Sequence, residues 1–183
     1  FVFAPSPRQV TMQKVYDITR RLPPGILTVG VFRDEHPRRV IEMVHEAGLK
    51  GAQLHGHETP DDVVEVSRSV RWVIKAVAAG SVDARNANQF ATDIVLLDAP
   101  HPGAGKVFDW SLAGELAAGP RILLAGGLTA ENVSDAIGQV RPWGVDVSSG
   151  VESEPGKKDA RKLRAFIAAA REATPEQFRG SDD

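Results

Sequence analysis

The chain has 183 residues, 42% of them hydrophobic and 25% charged, with a formal net charge of −2. That is enough polypeptide for one sizeable core, and the near-neutral balance without long runs of like charge argues against a nucleic-acid face or a polybasic membrane patch. No apolar run reaches transmembrane length, no leader pattern is legible, and the lack of cysteine excludes disulfides and thiolate metal sites, so a cytoplasmic location is expected.

In chain order, strands are predicted at "FVFA" (1–4), "ILTVGVF" (26–32), "GAQLH" (51–55), "WVIKAVA" (72–78), "DIVLLD" (93–98), "RILLAGG" (121–127) and "GVDVSS" (144–149). These runs lean on Val, Ile and Leu and barely alternate, as parallel strands covered on both faces do. Helical patterns fall between them. "SPRQVTMQKVYDITRRL" (6–22) sets Val10, Val15, Ile18 and Leu22 on one stripe. "HPRRVIEMVHEAG" (36–48) opens with Pro37 in its first turn and closes on Gly48. "TAENVSDAIGQV" (129–140) begins with Thr129 as the capping residue and Asn132 three positions on, short of a full capping box. The segment "TPEQFRGSDD" (174–183) reads as a polar tail that frays.

Strand starts recur every 21–28 residues, the repeat of a strand–helix unit. Polar and glycine residues gather after most strands, at "APSPR", "HGH", "DAPHPGAG", "AGGLT" and "SSGVE". A TIM (β/α)8-type barrel collects such ends on one face, whereas a doubly wound sheet concentrates them at one crevice. The α/β barrel is therefore the expected fold, with residues 1–173 as a single, incomplete barrel. A closed barrel needs eight strands and seven are legible, so one N-terminal unit is expected to be missing.

Several residues carry chemistry. Gly126 and Gly127 follow one predicted strand, and Ser148, Ser149 and Gly150 close the next. Barrels of this type hold phosphate on exposed backbone N–H groups at such adjacent strand ends, although glycines also merely turn a chain and serines merely cap helices. Asp98 ends the apolar strand "DIVLLD", where a carboxylate in a partly apolar mouth can deliver a proton near neutrality, or can simply cap the next element. The glycine loop after it, with Gly103, Gly105 and Lys106, could fold over a ligand. Arg8 follows the first strand and is placed to clamp a carboxylate bidentately, or to sit on the surface at a helix start. Asp146 alternates with Ser148 in the last predicted strand, so both should face one way, with Asp146 buried and partnered. His55 and His57 alternate as two metal ligands would. The other histidines, His36, His45 and His101, lie in helices or a loop, so substrate positioning by His55 is favoured over metal.

Together, "GAQLHG" (51–56), "LLD" (96–98), "GKVFDW" (105–110), "AGGL" (125–128), "VRPWGVDVSSGVE" (140–152) and "PGKKD" (155–159) resemble the phosphoribosylanthranilate isomerase family of tryptophan biosynthesis, from Phe1 to about Arg171. The resemblance implies a TIM barrel without metal or cofactor and an Amadori rearrangement of a small phosphorylated substrate by general acid–base catalysis. It also implies Asp98 as the general acid, Arg8 as the holder of the anthranilate carboxylate, and His55 and Asp146 as substrate-binding residues. Gly126, Gly127, Ser148, Ser149 and Gly150 become the phosphate cradle. The family's general base is a cysteine in a "KICG"-type first strand. Neither that strand nor any cysteine is present, so negligible turnover is expected of the chain as it stands. Two rival readings are another phosphosugar isomerase barrel and an inactive binding or complementing fragment. A homodimer, or fusion to a neighbouring tryptophan-pathway enzyme, stays open as the state of assembly, with no nucleic-acid or membrane partner expected.

Overall fold

Val40, Val44, Val63 and Val66 lie at 0–2% exposure, facing inward from two helices whose N-terminal signals are explicit in the sequence. The first, α2 (Pro37–Glu46), starts at Pro37 under an N-cap from His36 and is followed by Gly48 at φ 64°, the expected start and stop. The second, α3 (Pro60–Ser67), opens on a full capping box, in which Thr59 and Asp62 satisfy each other's backbone N–H groups. Helix α1 (Met12–Thr19) is shorter than its pattern suggests and begins at its Thr11 cap, with Val15 fully buried. Each buried valine contributes roughly 1.5–3 kcal/mol of transfer free energy, so these stripes fix the helices far more firmly than their short lengths would.

The computed structural model describes residues 1–100, 109–116 and 119–174. The predicted glycine loop at 101–108, with Gly103, Gly105 and Lys106, and the tail beyond Thr174 lie outside the described residues. Two compact units are present, one within Phe1–Val77, Asn86–Leu96 and Ala117–Pro120, the other within Ala78–Arg85, Leu97–Leu116 and Arg121–Asp183. The first unit holds β1 (Val29–Phe32), β2 (Gly51–Leu54) and all but the last residue of β3 (Trp72–Ala78). These pair in parallel, in register Val29↔Gly51↔Trp72 through Phe32↔Leu54↔Lys75. Strand β4 (Ile94–Asp98) gives its first three residues to this unit and its last two to the second. The second unit continues with β5 (Arg121–Leu124) and β6 (Gly144–Val145), again parallel, so hydrogen-bonded neighbours follow chain order. All residues of β2 and β4 are buried, which accounts for the apolar run Ile94–Leu97 of β4 and leaves Gln53 as a buried polar residue of β2. A short helix α4 (Val82–Arg85), then α5 (Val133–Val140) and α6 (Ala160–Ala173), complete the second unit, with α5 packed on α6.

Four expectations shift. The segment predicted as a first strand forms only isolated bridges, Val2 to Val31 and Val2 to Gln9, although hydrogen bonds from Phe1 and Phe3 keep it alongside β1. Helix α5 starts after Asn132 rather than Thr129. The Asn132 side chain takes the Thr129 N–H at 2.8 Å and donates to the Gly127 carbonyl at 3.0 Å, so the intervening residues form a turn. The last strand stops at Val145, leaving Asp146 and Ser148 outside it and Asp146 exposed rather than buried. Beyond it, an antiparallel hairpin of β7 (Glu152–Glu154) and β8 (Lys157–Lys158) turns at a glycine, Gly156, with φ 85°. Nothing in the apolar pattern marks so short and polar a hairpin.

Candidate active site

In the first unit, β2 delivers His55. Its N–H donates to the Phe32 carbonyl at 2.8 Å, which carries the parallel ladder one residue past the strand. Gln53 and His55 lie two apart and therefore point the same way, and the Gln53 amide reaches the imidazole Nδ1 at 2.8 Å. This contact fixes the orientation of the imidazole ring.

The residues after His55 make a tight turn against the end of β1. A Cβ on Gly56 would collide with the backbone and carboxylate of Asp34, which itself sits at φ 54°. His57 is directed elsewhere than His55: its N–H donates to Asp34 Oδ1 at 2.6 Å and its ring Nδ1 lies 3.1 Å from the same oxygen. The His57 backbone N–H holds the Asp34 carboxyl below the usual carboxylate range, and the His57 ring and the Arg33 guanidinium act the same way against a desolvation penalty. The two histidines therefore serve different partners, and among the described residues no group of three or more His, Asp or Glu side chains is arranged to hold a metal. Arg8 sits in the turn after Phe3, its N–H donating to Ser6 Oγ at 3.1 Å, with the side chain half-buried.

The second unit brings Asp98 next to the first glycine loop. Asp98 is 9% exposed at the end of β4, its carbonyl accepts from the Ala79 N–H at 2.9 Å, and its Oδ1 accepts from the Ala99 N–H at 2.8 Å. Beyond β5, Ala125 N–H donates to the Leu97 carbonyl at 2.9 Å, and the chain then turns through Gly126 and Gly127 at φ 86° and 69°. A Cβ at Gly126 would lie 2.6 Å from the Ala99 nitrogen, so only glycine lets this loop press against the residue that follows the carboxylate.

The second loop packs on the first. A Cβ on Gly150 would run into the Leu128 carbonyl oxygen, so the single 3₁₀ turn at Ser149–Val151 touches the 126–129 loop backbone to backbone. Lys158, on β8, donates to the Ser148 carbonyl at 2.8 Å and to Glu152 at 3.0 Å, while Lys162 donates to the Glu152 carbonyl at 2.8 Å. Asp159 N–H reaches the Val151 carbonyl at 2.8 Å, and its side chain caps α6. The hairpin that sequence patterning misses is what braces this loop. Asp146, one residue past β6, donates its N–H to the Leu124 carbonyl at 2.7 Å, which places it beside the strand that leads to Gly126.

Parallel strands paired in chain order, helices between them and polar loops after the strands define an α/β barrel protein of the TIM type. Residues 1–169 match the family model described as N-(5'phosphoribosyl)anthranilate (PRA) isomerase, and the chain belongs to that family. An isomerase of that name from Pelobacter propionicus is 45% identical over 185 residues, covering 98% of this chain and 87% of the relative. The crystal structure of phosphoribosyl anthranilate isomerase from Thermus thermophilus superposes with a TM-score of 0.86 at 37% identity, covering 92% of this chain and 84% of that one. A second crystal structure, of the isomerase in complex with reduced 1-(o-carboxyphenylamino)-1-deoxyribulose 5-phosphate, superposes at 0.81 with 36% identity, covering 94% of this chain and 86% of that one. Among the described residues no helix is long and apolar enough to cross a membrane.

Sequence reasoning missed Glu58, Lys75 and Lys158, and placed Asn132 only as the residue three positions after a Thr129 cap. Lys75 did leave a signal, as a lone charge in the middle of the apolar run "WVIKAVA". A charge there must find a partner or leave the core.

Proposed function

We propose that this member of the family carries out the isomerase reaction of tryptophan biosynthesis by acid–base chemistry on N-(5'-phosphoribosyl)anthranilate, with Asp98 as the proton donor. Asp98 donates to the ribose ring oxygen as the bond from that oxygen to the anomeric carbon breaks, and the anthranilate nitrogen takes up the electron deficiency as an iminium. Loss of the proton from the neighbouring sugar carbon gives an enolamine, which tautomerises to the 1-deoxyribulose 5-phosphate product. The 183 residues contain no cysteine, the residue that the family resemblance implies for this second proton transfer, and none of them is assigned to it.

Arg8 is proposed to hold the anthranilate carboxylate and His55 to orient the substrate through its imidazole, with Asp146 as a further substrate contact. Gly126, Gly127, Ser148, Ser149 and Gly150 would receive the phosphate, where two glycine-opened loops lie against each other and α5 starts just beyond. The observation that carries the reading is the buried Asp98 carboxylate at the end of β4, with the residue after it pressed against the Gly126 turn. Ring opening needs an acid at the ribose ring oxygen, and the glycine turn beside Asp98 would hold the phosphate of the same substrate. In a chain extended by a cysteine-bearing strand–helix unit, Asp98→Asn should lower kcat by on the order of 10²–10⁴ relative to the same chain with Asp98, with little change in KM. A kcat within about threefold of the parent would remove Asp98 from the mechanism.

A further inference from the structure

The end of β2 hides an ion pair that the chemistry above leaves unused. Lys75, on β3, pairs in register with Leu54, the last residue of β2, and its side chain is 1% exposed. Its ammonium lies 2.8 Å from Glu58 Oε2, where the Glu58 side chain is 3% exposed. The same ammonium donates to the Gly56 carbonyl at 2.7 Å and to the Leu54 carbonyl at 3.4 Å, and rests 5.7 Å from the centre of the Phe90 ring. Glu58 in turn accepts from the Gly56 N–H at 2.9 and 3.1 Å and from the Asp34 N–H at 3.0 Å. The pair thus grips the residues on either side of His55, Leu54 and Gly56, and ties both to the end of β1.

We propose that Lys75 and Glu58 are a positioning pair for His55, fixing the peptide groups that flank it so that its imidazole meets the substrate in one orientation. The proposal rests on the reading of His55 as a substrate contact. Stability alone is a poor account of the pair, because well-packed apolar side chains of the same volume usually serve a core as well as or better than a buried ion pair. What apolar side chains cannot do is direct two carbonyls and two N–H groups of a turn at once. A strand end without such a fixture would be free to rotate the 54–56 peptides, and the ring they carry would follow.

The test uses the full chain with four sequences: parent, His55→Ala, the neutral double variant Lys75→Met/Glu58→Gln, and all three changes together. The double variant removes both charges at once, so no unpaired buried charge remains to unfold it. Affinity for reduced 1-(o-carboxyphenylamino)-1-deoxyribulose 5-phosphate is measured by titration calorimetry, and the histidine ring resonances are followed by NMR. The double variant should bind about tenfold more weakly, while the triple variant binds no worse than His55→Ala alone, the non-additivity expected of groups that act through one another. The His55 resonances should move and those of His45, on α2, should hold. Parent-like affinity in the double variant, or losses that simply add in the triple variant, would overturn the proposal. If His55→Ala binds as the parent does, it is the substrate role of His55 that fails. The ring resonances then decide the pair on their own, and unmoved His55 signals refute it.

Discussion

The turn after β2 and the loops after β5 and β6 each present polar groups at strand ends, but they are shaped by opposite means. At residues 54–58 the backbone is directed by side chains: a buried ammonium and a buried carboxylate take up the carbonyls and N–H groups of the turn. At 126–129 and 148–151 the backbone is directed by missing side chains, since Gly126 and Gly150 stand where any Cβ would collide with main chain. In the proposed function the first device orients one imidazole. The second lets stretches of main chain approach closely, and there the same proposal seats the phosphate on backbone N–H groups. Under that proposal, a strand end that aims a side chain and one that offers its backbone call for different residues, charge in one case and glycine in the other.

The largest effect expected from breaking this contrast is in the turn. Lys75→Met alone leaves the Glu58 charge buried without its partner, and should cost about 3–5 kcal/mol of folding stability in urea melts. The neutral double variant should recover most of that loss. If the single variant melted like the parent, the charge pair would not be what shapes this end of β2. Next in size is the glycine loop. Gly150→Ala forces the 149–151 turn off the Leu128 carbonyl, an overpacking cost of about 1–3 kcal/mol. Its second signature should be a weakened affinity for inorganic phosphate, a loss that Lys75→Met/Glu58→Gln does not share. Equal phosphate affinities in Gly150→Ala and the parent would separate that close approach from anion binding.

A third, smaller change sharpens the comparison from the side of local structure. Thr59 caps α3 directly after the charged turn, and Thr59→Ala should cost about 1 kcal/mol, the ordinary value for a cap. Because the cap lies outside the Lys75–Glu58 network, its loss should add to that of the double variant rather than merge with it. Strong coupling between the two, read from a double-mutant cycle in urea, would extend the positioning network into the helix.

How much of this was legible in the sequence follows the same division. A continuous apolar run marked β4 because that strand is buried throughout, and Pro37 with Gly48 bracketed α2 because proline and glycine act locally. Gly126, Gly127 and Gly150 stood out as candidates for the same reason. The charged turn was hidden. Glu58 and Lys75 are 17 residues apart, and their meeting depends on the register that sets Lys75 beside Leu54. The misplaced end of the last strand has a related cause. "GVDVSS" alternates like a strand, but after Val145 the chain turns to bring Gly150 onto Leu128, a tertiary demand that no local pattern encodes. Lys158 escaped notice because lysine in a polar segment is ordinarily solvated, and only the folded hairpin aims it at the Ser148 carbonyl.

The smallest effect lies at Asp34, where side-chain control of the turn becomes sensitive to pH. The His57 N–H, the His57 ring and the Arg33 guanidinium all favour the charged carboxylate, so its pKa is lower in the folded chain than in the unfolded one. A depressed aspartate contributes stability that is fully present above its unfolded value, about 3.9, and that is lost as pH falls through the folded value. The side chain is 48% exposed and its charges are screened by water, so the contribution should be no more than a few tenths of a kcal/mol. Asp34→Asn suits the test, because asparagine tolerates the φ of 54° and its Oδ1 can still accept the His57 N–H. At pH 6 the variant should be slightly less stable than the parent, and the gap should close as pH drops below about 3.9. A gap that widened on acidification would mean that the carboxylate is disfavoured in the fold, and that His57 is held to Asp34 by geometry alone.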